Sequence, residues 1–238
     1  MADVEDRRLL RSAVARGDGA EVGARLRSRP WPEELQLIGD GLLFALDQGV
    51  QDASAQANEC VAALRQRGWT GDEGLADALQ ARLGDAGTVR LLRPLAVDLE
   101  ELAMVLEGDP VYGGGRIDLE TGEVWPQPAI DYAEETGELD ETEDDSDRWL
   151  RVKREGSGAG YRDMERFISQ IDDPELADRL SKAISGRGAF RRFKDVLSRW
   201  PDLVGRWQGF TEDRHRGRAR AWLADQGYAA VPRALPKP

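Results

Sequence analysis

Between Arg187 and Arg220 stand ten cationic side chains, Arg187, Arg191, Arg192, Lys194, Arg199, Arg206, Arg214, Arg216, Arg218 and Arg220, against four acids, Asp195, Asp202, Glu212 and Asp213. Guanidinium forks bind phosphate and carboxylate bidentately, and tryptophan or phenylalanine stacks on bases, so the block holds the residue types that a nucleic-acid contact surface uses. The candidate contact residues are Arg187, Arg191, Arg192, Lys194, Arg214, Arg216, Arg218 and Arg220, with nucleic acid or an acidic protein surface as the partner. A plainer reading stands beside this one. Phe190, Phe193 and Trp200 fall at core spacing, and with only four lysines in the chain arginine is the default cation throughout, so the arginines also read as a solvated helix face.

A second set of chemistry-bearing residues, Asp118, Glu120 and Glu123, clusters at one turn. Carboxylates so placed serve as a general acid and base or bind magnesium, and with Arg191 or Arg192 as a charge clamp they would define an enzyme acting on a phosphate-bearing substrate. Alternation along the strand sets Asp118 opposite Ile117 and Leu119, which is also what an exposed strand residue does. No nucleophile, base and orienting group assemble into a recognisable motif, which favours a non-enzymatic binding or regulatory module. Gly156-Ser157-Gly158-Ala159-Gly160 follows a predicted strand and opens a predicted helix, where free amides could cradle a phosphate. Its spacing matches neither the dinucleotide fingerprint nor the P-loop, so it reads as a connector. The lone His215 and the lone Cys60 exclude a His-rich zinc site, a cysteine cage and an internal disulfide, and no metal or cofactor is predicted. Cys60, among Ala57, Val61 and Leu64, reads as buried filler.

The net charge of −12 is unevenly distributed. From Asp131 to Asp147 there are ten acids and no lysine or arginine, which leaves −2 for the remaining chain. The low pI is therefore a property of one segment and does not exclude an anionic partner elsewhere. Residues 131–147 are too polar to pack and read as a solvated loop, with a fold back over the basic helices as the alternative; the acid spacing fits no EF-hand calcium loop.

These groups need elements to hold them. Up to about Arg93 the pattern is helical: Val4 to Val14, Val22 to Leu26, a boundary at Pro30-Trp31-Pro32, Leu35 to Leu46 ended by Gly49, Ala53 to Leu64 ended by Gly68, and Leu75 to Leu83 ended by Gly84. Beyond Pro94, Asp98 and Glu101 have capping-box spacing before Leu99, Leu102, Ala103 and Leu106, and Gly108 closes that helix. Arg116 to Leu119 and Glu123 to Trp125 alternate around a glycine turn as a hairpin, and Trp149 to Lys153 supplies a third strand. Helical period returns at Tyr161 to Ile171, at Asp173-Pro174 through Ile184, at Phe190 to Trp200, and in a long last helix from Leu203 to Leu223 that Gly209 and Gly217 weaken and Gly227 closes.

Four segments in order carry a resemblance: Leu106-Glu107-Gly108-Asp109; Arg116 through Val124; Tyr161 through Ile168; and Gly186-Arg187-Gly188-Ala189-Phe190-Arg191-Arg192-Phe193-Lys194-Asp195. Over roughly residues 97–228 the chain resembles the bacterial uncharacterised protein family 0158. The family has no established activity, so the resemblance implies a fold unit and carries over no catalytic or binding residue. The expected fold class is α+β: an all-helical region 1–93, an α+β domain 94–230 whose small antiparallel sheet of about three strands packs with the C-terminal helices, and a disordered tail 231–238. The longest apolar run, Gly41 to Leu46, is far short of the ~20 residues a membrane helix needs, and no signal peptide is predicted, so the protein is expected to be cytoplasmic with no membrane partner.

Overall fold

The apolar stripes of the first half close on one another. In the computed structural model, which describes residues 2–28, 34–84, 91–108, 113–138 and 147–231, they form α1 (Ala2–Ala15), α2 (Gly19–Ser28), α3 (Leu35–Asp47), α4 (Ala53–Arg67) and α5 (Asp72–Leu83). α3 is the hub, buried along nearly its whole length, and Leu10, Val22, Leu42, Leu64, Leu75 and Leu79 meet around it with almost no exposure. The Pro30 to Pro32 boundary lies outside the described residues. Gly68 and Gly84 end α4 and α5 in the left-handed region that glycine adopts without a Cβ clash.

The second half holds β1 (Arg93–Ala96), α6 (Leu99–Glu107), β2 (Gly115–Asp118), β3 (Val124–Pro126), α7 (Gln127–Thr136), β4 (Trp149–Val152), α8 (Gly158–Ile168), α9 (Pro174–Ala183), α10 (Ala189–Leu197), α11 (Pro201–Asp225) and β5 (Tyr228–Val231). The three-stranded antiparallel sheet runs in the order β3-β2-β4, with Ile117 paired to Val124 on one side and Leu150 on the other. The fold class is α+β. Asp98 caps α6 by accepting from the amides of Glu100 and Glu101, and Asp173 caps α9 in the same way. One apolar cluster gathers α6, the sheet and the end of α11 around Leu102, Ile117 and Leu223. Another gathers α8, α9, α10 and α11 around Met164, Phe167 and Phe193, and Trp69 from the first half packs against it.

Three expectations are corrected. Residues 131–136 of the acidic segment are helical: α7 starts after Pro126, carries Pro128 in its first turn, and buries Ile130 and Ala133, two anchors three residues apart that a count of charges overlooks. The other part, residues 139–146, lies outside the described residues. Val231, assigned above to the tail, ends β5, while 232–238 lie outside the described residues. Arg93–Ala96 and Tyr228–Val231, read as boundary and post-helix chain, pair as a second, parallel two-stranded sheet.

α11 joins the halves. Its buried stripe Gly209, Phe210, Asp213, Gly217 and Arg220 faces inward, and α11 packs on α3 and α5 as well as α6 and α8. Gly209 and Gly217, which lower helix propensity, do not interrupt it: at both positions neighbouring groups approach where a side chain would stand.

Candidate functional site

The structure divides the arginine block into an inner and an outer set. On α11, Arg220 is 4% exposed and donates to Oε1 of Gln36 at 2.9 Å and to Oδ1 of Asp40 at 2.5 Å. Arg216 pairs with Asp40 at 3.4 Å and Glu100 at 3.1 Å. Arg218 bridges Asp163 at 2.6 Å and Glu107 at 2.5 Å. Arg214 reaches Asp163 at 2.9 Å through Nε and lies over the Trp69 ring at 5.1 Å. Arg216, Arg218 and Arg220 are therefore committed to carboxylates through their terminal nitrogens while Arg214 is held through Nε alone, and these pairs key α11 to the N-terminal helices and to α6 and α8. Their spacing of two residues, which gave the impression of one basic face, spreads them around the helix to several neighbours.

The outer set lies on and before α10. Arg187, Arg191 and Lys194 are exposed; among the described residues Arg191 has only a loose contact of 3.9 Å with Asp195 one turn on, and Arg187 and Lys194 have no ion pair. Between them Phe190 stands 40% exposed while Ala189, Phe193 and Leu197 point into the core. Arg192 is spent differently. It donates to the carbonyls of Ala183, Ser185 and Arg187, closing the turn between α9 and α10. Of the eight predicted contact residues, Arg187, Arg191 and Lys194 are thus exposed without a close ion pair among the described residues.

Asp118 is buried, contrary to the exposed strand residue read from alternation. One oxygen accepts from the amides of Glu120 and Thr121 and the other from Arg148 at 2.7 Å, so the carboxylate builds the hairpin turn. Burial pushes its pKa upward, but the Arg148 hydrogen bond, the two amides and the Arg148 charge together hold it below the usual value. Glu120 and Glu123 are exposed. Arg148 Nε lies 3.2 Å from Asp118 and 4.0 Å from Glu120, and with both of its oxygens engaged Asp118 serves the turn. His215 contacts Glu107 at 2.9 Å, and among the described residues no group of three or more His, Cys, Asp or Glu side chains could hold a metal ion. Burial and the nearby Asp213 charge push the Cys60 thiol up to about 12, which makes it unreactive.

Two carboxylates that sequence reasoning passed over organise this region. Asp163 shares the buried face of α8 with Phe167 four residues on, and that position of an acid on an apolar face was a legible signal. Asp213 is 2% exposed, accepts from the Gln36 amide at 2.7 Å and pairs with Arg67, which also serves Asp72. Burial outweighs the Arg67 charge and these hydrogen bonds, the neighbouring Asp72 adds to it, and the Asp213 pKa is pushed up to about 6. A carboxyl raised above its unfolded value of 3.8 takes up its proton earlier in the folded state, so its contribution to stability falls as pH rises through that window. Acidifying from about pH 7 to about pH 5 should therefore raise its contribution by about 1 kcal/mol. Chemical denaturation of the wild type and Asp213→Asn at both values checks this, and the gain on acidification is expected to shrink by that amount in the variant.

The position of these elements in known proteins follows. This α+β chain belongs to the Uncharacterised protein family (UPF0158), whose signature matches residues 92–236, the span from β1 through β5. It is similar to the UPF0158 protein PA5073 of Pseudomonas aeruginosa, with 27% identity over 151 residues that cover 61% of this chain and 92% of that protein. No solved structure matches. No helix among the described residues is long and apolar enough to cross a membrane.

Proposed function

We propose that this protein is a non-catalytic, cytoplasmic binding module for single-stranded nucleic acid, and that its contact surface is the outer face of α10. The observation that carries the reading is the exposed Phe190 ring set among Arg187, Arg191 and Lys194. An aromatic ring offers a stacking platform to an unpaired base, and the three cations are placed to neutralise adjacent phosphates without first being stripped from buried partners. The net charge of −12 opposes non-specific adsorption, so contact depends on this local patch.

A fluorescently labelled single-stranded oligonucleotide titrated across salt tests it. Three phosphate contacts predict a slope of about −2 in log K against log salt. The double variant Arg191→Glu, Lys194→Glu should abolish binding, and Phe190→Ala should weaken it by about 1–3 kcal/mol. Arg192→Ala, which acts on a turn, should be read through stability instead. No binding at low salt would overturn the nucleic-acid reading, and the same face would then be tried against an acidic protein surface.

A further inference from the structure

Beside the α10 face lies a cleft of about 250 Å³ between α11 and the start of α8. Arg162, Arg214 and Arg218 line it together with Trp222, and Ala159 at the beginning of α8 forms part of its edge. The guanidiniums are not equivalent. Arg218 is held at both ends by Asp163 and Glu107, whereas Arg214 uses only Nε on Asp163 and its two terminal nitrogens make no hydrogen bond among the described residues. Arg162 is exposed and forms neither ion pair nor hydrogen bond among the described residues; its Nη1 lies back toward Gly158, 3.6 Å from where a Cβ there would stand. Ser157 does not cap α8 through its side chain, and Ala159 in the first turn of that helix lines the cleft.

The cleft and the α10 face meet on consecutive residues. Ala159 lines the cleft, and the Phe190 ring packs on Gly160, 3.0 Å from the position a Cβ would take, so glycine is what lets the ring lie there. Two carboxylates, Glu155 and Asp225, also line the cleft. They oppose every anion that enters, so a strand does not run on through the cleft past them, and a phosphate stays only where the forked donors of Arg162 and Arg214 offset that repulsion.

We infer that this cleft receives the terminal 5′-phosphate of a single strand whose first bases lie on α10. The inference rests on the reading of α10 as a nucleic-acid surface. A terminal monoester carries a second negative charge that an internal phosphodiester lacks, and Arg162 and Arg214 supply forked donors for it. Trp222 gives the cleft an apolar wall against which the terminal sugar can lie.

Two oligonucleotides of one sequence, ending in 5′-phosphate and in 5′-hydroxyl, should be compared by fluorescence anisotropy at one fixed low salt concentration, with inorganic phosphate as competitor. The phosphorylated strand should bind about tenfold tighter, inorganic phosphate should erase that difference, and in Arg162→Ala the two strands should bind alike. Arg162 has no ion pair or hydrogen bond to lose among the described residues, and thermal denaturation of the variant checks that it is folded. Equal binding of the two strands by the wild type, or a preference that survives in Arg162→Ala, overturns the cleft assignment while leaving α10 as the contact surface. Failure of both strands to bind overturns the α10 reading and the cleft assignment with it.

Discussion

Replacing Arg220 with alanine is expected to lower folding stability by about 3–5 kcal/mol, a large share of the roughly 5–15 kcal/mol that holds a typical domain folded. Arg220 is buried and joins two elements far apart in the chain, donating to Gln36 and to Asp40 on α3 from its place on α11. Removing it has three consequences. The side-chain oxygen of Gln36 loses its donor in a buried site, a cavity the size of the arginine stem opens, and Asp40 keeps only the longer contact with Arg216 at 3.4 Å. The last is the largest, since a buried carboxylate that loses its close counter-charge and keeps only a long one is costlier than the pair is favourable. This separates the expectation from a simple tally of salt bridges. If the loss comes from weakening the pairing of Asp40, the double variant Arg220→Met, Asp40→Leu should recover much of it, because an apolar pair replaces the buried ions and Arg216 keeps Glu100. Urea denaturation of the wild type, Arg220→Ala and the double variant distinguishes the two accounts: a double variant as unstable as the single one would place the energy in packing.

The same network shows where sequence reasoning reached and where it stopped. Elements whose reasons are local were legible: Asp98 and Asp173 cap the helices they precede, Gly68 and Gly84 end theirs, and the hairpin turns at Gly122. β1 and β5 were not. Each has four residues, β1 contains a proline, and among the described residues they pair with each other across more than 130 positions, so nothing in either segment's own pattern marks a strand. The basic block failed for a related reason. Its arginines were counted correctly, but whether a guanidinium faces solvent or a carboxylate depends on acids supplied from elsewhere in the chain: Asp40 in α3, Glu100 and Glu107 in α6, and Asp163 in α8. Only on α10, where Ala189, Phe193 and Leu197 mark the buried side, does the sequence itself separate the outward Arg191 and Lys194 from the core. The candidate interface is what remains after these pairs have been assigned.

Gly217 provides the sharpest disagreement between a local rule and the folded structure. On helix propensity alone, Gly217→Ala in the middle of α11 should stabilise by about 1 kcal/mol. The opposite is expected, a net loss of about 2–3 kcal/mol, because a Cβ there would collide with the carbonyl oxygen of Thr70. That neighbour is backbone, so no side-chain rotation relieves the clash. The approach is close from both sides: Gly71 has φ of +87°, and a Cβ on it would in turn strike the Gly217 carbonyl. Two glycines are thus what allow α11 to lie against the turn that starts α5, and that contact is what brings Arg67 within reach of Asp213 and Gln36 within reach of Arg220. Forcing the turn away would loosen these pairs as well, so the loss should exceed that of an ordinary overpacked site and should be partly suppressed in a background that already carries Arg220→Ala. Gly74 supplies the control. It stands on α5, its nearest neighbour to a new Cβ is the Arg220 side chain at 3.8 Å, and Gly74→Ala should stabilise by about 0.5–1 kcal/mol. Thermal and urea denaturation of the two variants side by side decides the matter: if both gain stability, the close approach of α11 to the α5 turn does not limit this fold.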